Sequence, residues 1–357
     1  MPPISERENY LRTIEMRKPE WIPCNVSFLQ PAWHKYREKI EDIILRHPSI
    51  FGEYVRGSHD FDDFGSRRRG HIYKDEWGCT WSFLIDGLQG QVRSHPLEDW
   101  SALQSYKPPD PYDSIGPPLE GSPPNESWSD AKRRIRDRKE RGKIAFGYFP
   151  HGFLFQRLYY LRGFRNLMID LITEPPQLED LIGMINEYSL KLLEMWLQMD
   201  VDVMYFEDDL GMQDRMMISI ETFRRYLLPA YTEIFKRVRE AGVHVHMHSD
   251  GHVIEAAEDF INAGASILGL QSRENGIENI KRTCKGRVCI SLYLDSQSII
   301  PMGTLKEIEE HVRGAVLNLG SKSGGLILNA ECNVETPLAN CEALCQALEK
   351  YQRYYSN

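Results

Sequence analysis

The sequence predicts an α/β fold, a (β/α)8 or TIM barrel formed as a single domain over residues 1–357, with an N-terminal elaboration over residues 30–125. Three observations carry this. From Lys143 onward, short apolar runs alternate with amphipathic helical stretches, the rhythm of parallel strands covered on both faces and joined by right-handed crossovers. Counting residues 22–29 there are seven such runs, and an eighth is expected in the irregular first third. Polar residues gather at the C-terminal ends of the runs, where such a barrel keeps its active site. An open doubly wound sheet is the alternative, but no phosphate-binding Gly-rich turn supports it.

In chain order, residues 1–20 hold a short helix: Ser5 is its N-cap, Glu8 completes a capping box and Lys18-Pro19 ends it. Residues 21–29 (WIPCNVSFL) read as a strand and 33–46 as a helix. A Gly- and Asp-rich stretch follows, containing Asp60-Phe61-Asp62-Asp63-Phe64. Residues 74–83 and 90–95 alternate like a β-hairpin, and 108–124 form a Pro-rich connector. The basic run 132–141 (KRRIRDRKER) reads as a solvated helix face. Strands at 143–148, 201–206, His244–His248, 266–270, 288–294 and 325–329 then alternate with helices. The helices are expected at 153–173, 177–199, 219–241, 252–263, Ile277–Cys284, Leu305–Leu319 and 337–355. Leucines and methionines at i, i+3 and i+4 mark the helix over 177–199, Thr304 and Glu307 form a capping box, and Thr336 with Pro337 starts the last helix.

The apolar fraction of 41% and charged fraction of 27% are those of an ordinary globular chain. A net charge of -9 disfavours nucleic acid and anionic membrane surfaces, which attract a positive field. No run approaches the ~18 apolar residues of a membrane span. The N-terminus (MPPISERE) is charged where a signal peptide is apolar, so a cytoplasmic location is expected. Seven cysteines, an odd number without CxxC spacing, are expected to be mostly reduced, buried and inert.

One stretch stands out: residues 244–253 (HVHMHSDGHV) carry four of the chain's 11 histidines, with an acid among them. His246 and His248 share one face of a strand and Met247 takes the other. The other strand ends are equally polar: His151; Glu207-Asp208-Asp209; Gln271 and Arg273; Tyr293 and Asp295; Asn329 and Cys332. Loops are polar in any case, and each residue also has a plain structural reading. Asp250 before Gly251 can cap the next helix, either His246 or His248 can be a core histidine, one of the three acids can be a cap, and Cys332 can be a small buried hydrophobe. Taken together, His248, Asp250 and Glu207 are the expected catalytic groups. Asp208, Asp209, Gln213, Gln271, Arg273, Tyr293, Asp295, Asn329 and His151 are the expected substrate contacts. Because His248 and Cys332 end separate strands, they also offer an imidazole and a thiolate which, with one carboxylate, would make a three-ligand zinc site with an open position.

The segments 206–213 (FEDDLGMQ), 218–224 (ISIETFR) with Leu228-Pro229, 248–251 (HSDG) and 332–340 (CNVETPLAN) resemble the uroporphyrinogen decarboxylase superfamily. With 75–79 (DEWGC), 95–97 (HPL) and 161–164 (LRGF), the chain is similar over nearly its whole length to the corrinoid-dependent methyltransferase branch. The resemblance implies a TIM barrel with an N-terminal elaboration. True decarboxylases of the superfamily hold the porphyrin carboxylates with an early Arg-rich motif, whereas residues 25–33 (NVSFLQPAW) contain no arginine. Zinc methyltransferases of the branch carry His-x-Cys at a strand end and a second Cys much later. His248 and Cys332 match in position, but Asp250 stands where the first Cys belongs. A thiol acceptor needs zinc and soft sulfur ligands to become a reactive thiolate. Transfer to N5 of tetrahydrofolate needs instead a carboxylate to anchor the pterin's donor edge and a group to manage a proton. The resemblance therefore implies methyl transfer from a methylated corrinoid, held by a separate cobalamin-binding protein, to tetrahydrofolate, as in anaerobic O-demethylation. His248 and Asp250 would lie at the reacting centre, with Arg215 and Arg273 toward the folate carboxylates. A zinc-dependent corrinoid:thiol methyltransferase of the coenzyme M type, or a decarboxylase of the superfamily acting on another acid, are the alternatives.

Overall fold

In the computed structural model, which describes residues 4–356, Ser5 Oγ accepts a hydrogen bond from the Glu8 amide at 3.1 Å and starts the helix Glu6–Ile14. Residues 1–3, included in the expected N-terminal segment, lie outside the described residues. Thr304 and Glu307 close a reciprocal capping box at the start of the helix Leu305–Leu319, as their spacing predicts. The described residues form ten strands, in chain order β1 (Cys24–Phe28), β2 (Ile72–Lys74), β3 (Thr80–Ser82), β4 (Gln91–Ser94), β5 (Phe146–Tyr148), β6 (Val203–Glu207), β7 (His244–His248), β8 (Ile267–Gln271), β9 (Cys289–Tyr293) and β10 (Leu326–Cys332). The chain divides into two compact units, one of residues 4–65, 86–88 and 267–356 and the other of residues 66–85 and 89–266.

In the unit built around β5–β7, the three strands run parallel in sequence order, with helices Pro176–Leu197 and Leu228–Glu240 in the crossovers. The register sets Tyr148 beside Tyr205, Tyr205 beside His246, and Glu207 beside His248. Strand alternation sends Phe206 to the helix side, against Phe149, Phe153 and Phe235 at ring distances of 4.6–5.3 Å. Phe206, Tyr231 and Phe235 are fully buried there, each contributing about 1.5–3 kcal/mol over exposure to water. The opposite face carries Tyr205, Glu207, His246 and His248. In the other unit β1, β10, β9 and β8 run parallel in that order, with helices Ile277–Cys284 and Leu305–Leu319 between successive strands. The fold is of the α/β-barrel class. Among the described residues the first third supplies β1 but no eighth parallel strand.

It supplies instead a three-stranded antiparallel sheet, β2-β3-β4, where a two-stranded hairpin was expected. Asp75 anchors this sheet by accepting hydrogen bonds from the Cys79 amide (2.8 Å) and Trp81 Nε1 (2.8 Å) and by pairing with Arg157 at 3.4 Å. Arg157 is buried over the Trp77 and Tyr160 rings, so the elaboration is fastened to the helix Phe155–Arg162 by a desolvated ion pair.

Three expected helices are interrupted, each for a local reason. The helix expected over 33–46 breaks at Arg37, which takes a left-handed φ of 51°, and that over 153–173 breaks at Gly163, with φ 82°. The helix over 219–241 contains a π turn, Phe223–Leu227, just before Pro229, whose nitrogen has no proton to donate. Among the described residues, no helix is long and apolar enough to cross a membrane.

Candidate functional site

Period-two alternation places Glu207 and His248 on the same face at the ends of adjacent strands, with His248 Nε2 3.8 Å from Glu207 Oε1 and 3.1 Å from Asp250 Oδ1. His248 is buried, while 54% of the Asp250 side chain is exposed. The Asp250 amide donates to Asp209 Oδ1 at 2.9 Å. Asp209 Oδ2 lies 3.0 Å from His151 Nε2, and His151 Nδ1 lies 2.8 Å from Glu120 Oε2. Glu207, Asp209, Asp250, His248 and His151 thus belong to one connected cluster. Asp250 does not cap the following helix, which starts at Ile254 with Val253 at its N-cap. His246 lies on the same face one step deeper, edge-on to Tyr205 at 4.7 Å. Among the described residues neither of its ring nitrogens has a hydrogen-bond partner, and burial lowers it to about 3, so it is neutral.

Two tight backbone approaches hold Asp250 in place. Gly251 has φ +77°, and a Cβ there would stand 2.4 Å from Gly211 C; a Cβ on Gly211 would stand 2.5 Å from the Asp250 carbonyl oxygen. The crossing is closed by Gly211 N donating to Asp250 O (3.2 Å), His252 N to Met212 O (2.7 Å) and Leu210 N to Ser249 Oγ (2.9 Å).

The electrostatics follow from burial and mutual contact. Burial raises the Glu207 carboxyl above its usual range, against the lowering effect of His248 and His151. Burial opposes charge on His248, but its hydrogen bond to Asp250 and the charges of Glu207, Asp250 and Asp209 outweigh it, leaving the imidazole raised. Burial also opposes charge on His151, yet its two carboxylate partners raise it to about 12. Burial works to raise Asp209, and its hydrogen bond to His151 brings the net shift below the usual value. The arrangement offers hydrogen-bond acceptors and, in Glu207, a carboxylate whose hold on a proton is strengthened by burial.

Asp208, expected to touch substrate, does not line this cluster. It is fully buried, accepts hydrogen bonds from the Phe155 and Gln156 amides at 2.6 and 2.9 Å, and accepts another from Tyr231 Oη at 2.6 Å. It caps the helix Phe155–Arg162 because adjacent strand residues face opposite sides, which turns it away from Glu207. Gln213 and Arg215 are exposed on the loop closed by the Gly211–Met216 bridge.

In the other unit, Asn329 donates to Ser291 Oγ (2.7 Å) and accepts from Asn25 Nδ2 (3.0 Å). Tyr293 sits beside Asn329 in register. Asp295 spends one oxygen on the Gln297 and Ser298 amides, at 3.0 and 2.8 Å, and so shapes a turn. Arg273 reaches Gln297 at 3.1 Å, and the Gln271 carbonyl accepts from Asn275. Cys332 is three residues beyond Asn329 and so on the opposite face: it is buried against the helix Leu338–Tyr351, where its thiol meets Cys341. The Cys341 contact and burial push that thiol well above its usual range. Among the described residues, no group of three or more His, Cys, Asp or Glu side chains is arranged to hold a metal ion.

Sequence reasoning missed Glu120, Gln156, Asn25 and Ser291. Glu120 lies in the Pro-rich connector, where no periodicity marks a face; its only local signal is the following Gly121, with φ +60°. Gln156 accepts from the Asp209 amide at 2.9 Å, a role that only the fold reveals.

Among solved structures, a methyltransferase from Methanosarcina mazei superposes with a TM-score of 0.64 at 16% identity, covering 98% of this chain and 99% of that one. A D-psicose 3-epimerase from Clostridium cellulolyticum H10 also matches, with a TM-score of 0.40 at 12% identity over 65% of this chain and 85% of that one. No curated protein matches the sequence significantly. The family model for uroporphyrinogen decarboxylase (URO-D) matches residues 151–351, which span His151, the Glu207–Asp209 and His248–Asp250 strand ends and Cys332. The chain therefore belongs to the uroporphyrinogen decarboxylase family.

Proposed function

We propose that the chain is a cytoplasmic corrinoid-dependent methyltransferase that moves a methyl group from a methylated corrinoid, carried by a partner protein, to N5 of tetrahydrofolate. The observation that carries this reading is the acid-rich cluster at the ends of β6 and β7. Glu207, Asp209 and Asp250 gathered about His248 favour a donor-rich ligand edge and repel a polycarboxylate such as a porphyrin. The M. mazei methyltransferase adds a shared fold.

The corrinoid would supply the methyl group as an electrophile; the remaining tasks fall to this chain. Attack by N5 releases its proton, and Glu207, raised by burial and adjacent to His248, is the group to accept it. Asp250, half-exposed and fixed at both its amide and its carbonyl, accepts hydrogen bonds from the pterin's amino and amide edge. His248 hydrogen-bonds Asp250 and lies within ion-pair distance of Glu207. A zinc site of the thiol-transferring kind does not fit these residues. Asp250 replaces one sulfur, and Cys332 turns its thiol toward Cys341.

The test is corrinoid absorbance during turnover with the methylated partner. Wild-type protein should demethylate the corrinoid in a tetrahydrofolate-dependent way, and Glu207→Gln should slow this by about 100-fold or more, the usual contribution of a positioned acid–base group. Turnover with a thiol acceptor alone would overturn the folate assignment.

A further inference from the structure

His151 sits between two carboxylates. Each ring nitrogen of His151 faces a carboxylate within hydrogen-bond distance, Nδ1 to Glu120 at 2.8 Å and Nε2 to Asp209 at 3.0 Å, while Glu207 lies 4.0 Å from Nε2. An ionised carboxylate only accepts, so between two carboxylates both nitrogens donate and the ring carries two protons, although Gln89 Nε2 also lies 3.2 Å from Nδ1, a contact in which a neutral ring would accept. Glu120 is itself buried, and both of its oxygens are engaged: Tyr160 Oη donates to Oε1, while Gln89 and His151 meet Oε2. Asp209 is similarly committed, to the Asp250 amide through Oδ1 and to His151 and Gln156 through Oδ2.

Glu120 comes from the elaboration, and its delivery is built into the local backbone. Leu119 and Ser122 form a bridge around it, and Gly121 turns with φ +60° directly over the Trp81 indole, where a Cβ would stand 2.9 Å from the ring. Trp81 is in turn held by Asp75, the partner of Arg157. A continuous set of contacts therefore runs from the antiparallel sheet through Gly121 and Glu120 to His151, Asp209 and the Asp250 amide.

We infer that Glu120 is a positioning residue: it clamps His151 as a fixed imidazolium whose other N–H holds Asp209, and through Asp209 the Asp250 amide, in the arrangement the reaction uses. The raised His151 value of about 12 agrees with this geometry. With both N–H groups occupied, His151 is not the group that exchanges a proton with substrate. That task stays with Glu207, and the elaboration acts in the reaction as a brace rather than as a cover. The catalytic part of this inference rests on the methyltransferase reading above, whereas the charge state of His151 does not.

The experiment is nitrogen NMR of protein labelled with 15N-histidine at pH 9, where an ordinary imidazole is neutral. The His151 signals are assigned by their loss in His151→Gln. Wild-type protein should show both His151 nitrogens protonated; Glu120→Gln should leave the ring mostly neutral, and Glu120→Asp should restore the second proton in part. A neutral His151 in the wild type, or a doubly protonated one in Glu120→Gln, overturns the clamp, and the wild-type spectrum alone decides it if Glu120→Gln does not fold. In turnover, Glu120→Gln should lower kcat by about 10-fold or more with KM for tetrahydrofolate nearly unchanged, the effect typical of losing a supporting partner. An unchanged kcat overturns the positioning role. Should tetrahydrofolate not be the acceptor while the NMR pattern holds, the proposed function fails and the clamp stands.

Discussion

Asp208 shows how one residue of an acidic triplet can have a different task from its neighbours. Its carboxylate is the cap and anchor of the helix Phe155–Arg162, and desolvation raises it to about 6 in spite of hydrogen bonds from Tyr231, Gln156 and Phe155. The folded protein therefore holds this proton more tightly than the unfolded chain, whose value is near 3.8. The associated stability is fully present below about 3.8 and lost as pH rises through about 6. Denaturant unfolding between pH 4 and 7 should show a decline in stability of up to about 3 kcal/mol in the wild type that is absent in Asp208→Asn. Parallel pH curves for the two proteins would show that Asp208 is ionised throughout. Both the acidic run and the histidine stretch were legible in the sequence as chemistry-bearing. Which acid turns inward depended on the phase of β6, and Glu120 could not be found without the contact it makes with His151.

At the level of elements, the loops after β6 and β7 are interlocked, and this rather than any side chain sets the position of Asp250. Ser-Asp-Gly after a strand reads as a helix cap, yet the glycine is there for a left-handed φ and a backbone crossing with Gly211. Gly251→Ala would force a non-glycine residue into that φ and drive its Cβ into the Gly211 backbone. A stability loss of about 2 kcal/mol or more is expected, together with a marked loss of activity as Asp250 is displaced. Thermal melting and turnover measured on the same preparation check this; unchanged values in both would show that the crossing is not needed. The broken helices at Arg37, Gly163 and the π turn before Pro229 belong to the same scale. Apolar periodicity continued through them, and only the backbone geometry reveals the breaks.

Across the whole molecule, cysteine burial agrees with the reading made from composition. Among the described residues all seven cysteines are free, and six are buried. Burial raises Cys79 and Cys284 to about 12. In the folded protein at neutral pH, no more than one thiol, the half-buried Cys24, should react promptly with a disulfide reagent, and all seven should react after unfolding. The melting temperature should be the same with and without reductant. Prompt reaction of Cys332 in the folded protein would contradict its burial against the helix Leu338–Tyr351.

By itself the sequence determined the α/β-barrel class, the positions of β5–β10 to within a few residues, and the two strand ends that carry Glu207 and His248. Those features are written in period-two and helical alternation and in local capping, which act over a few neighbouring residues. The tertiary structure alone decided that Asp208 braces a helix, that Cys332 faces Cys341, and that a carboxylate from the connector meets His151 31 residues further on. These depend on which elements pack together and on which face each residue takes, and no local pattern encodes a contact made by a segment without periodicity.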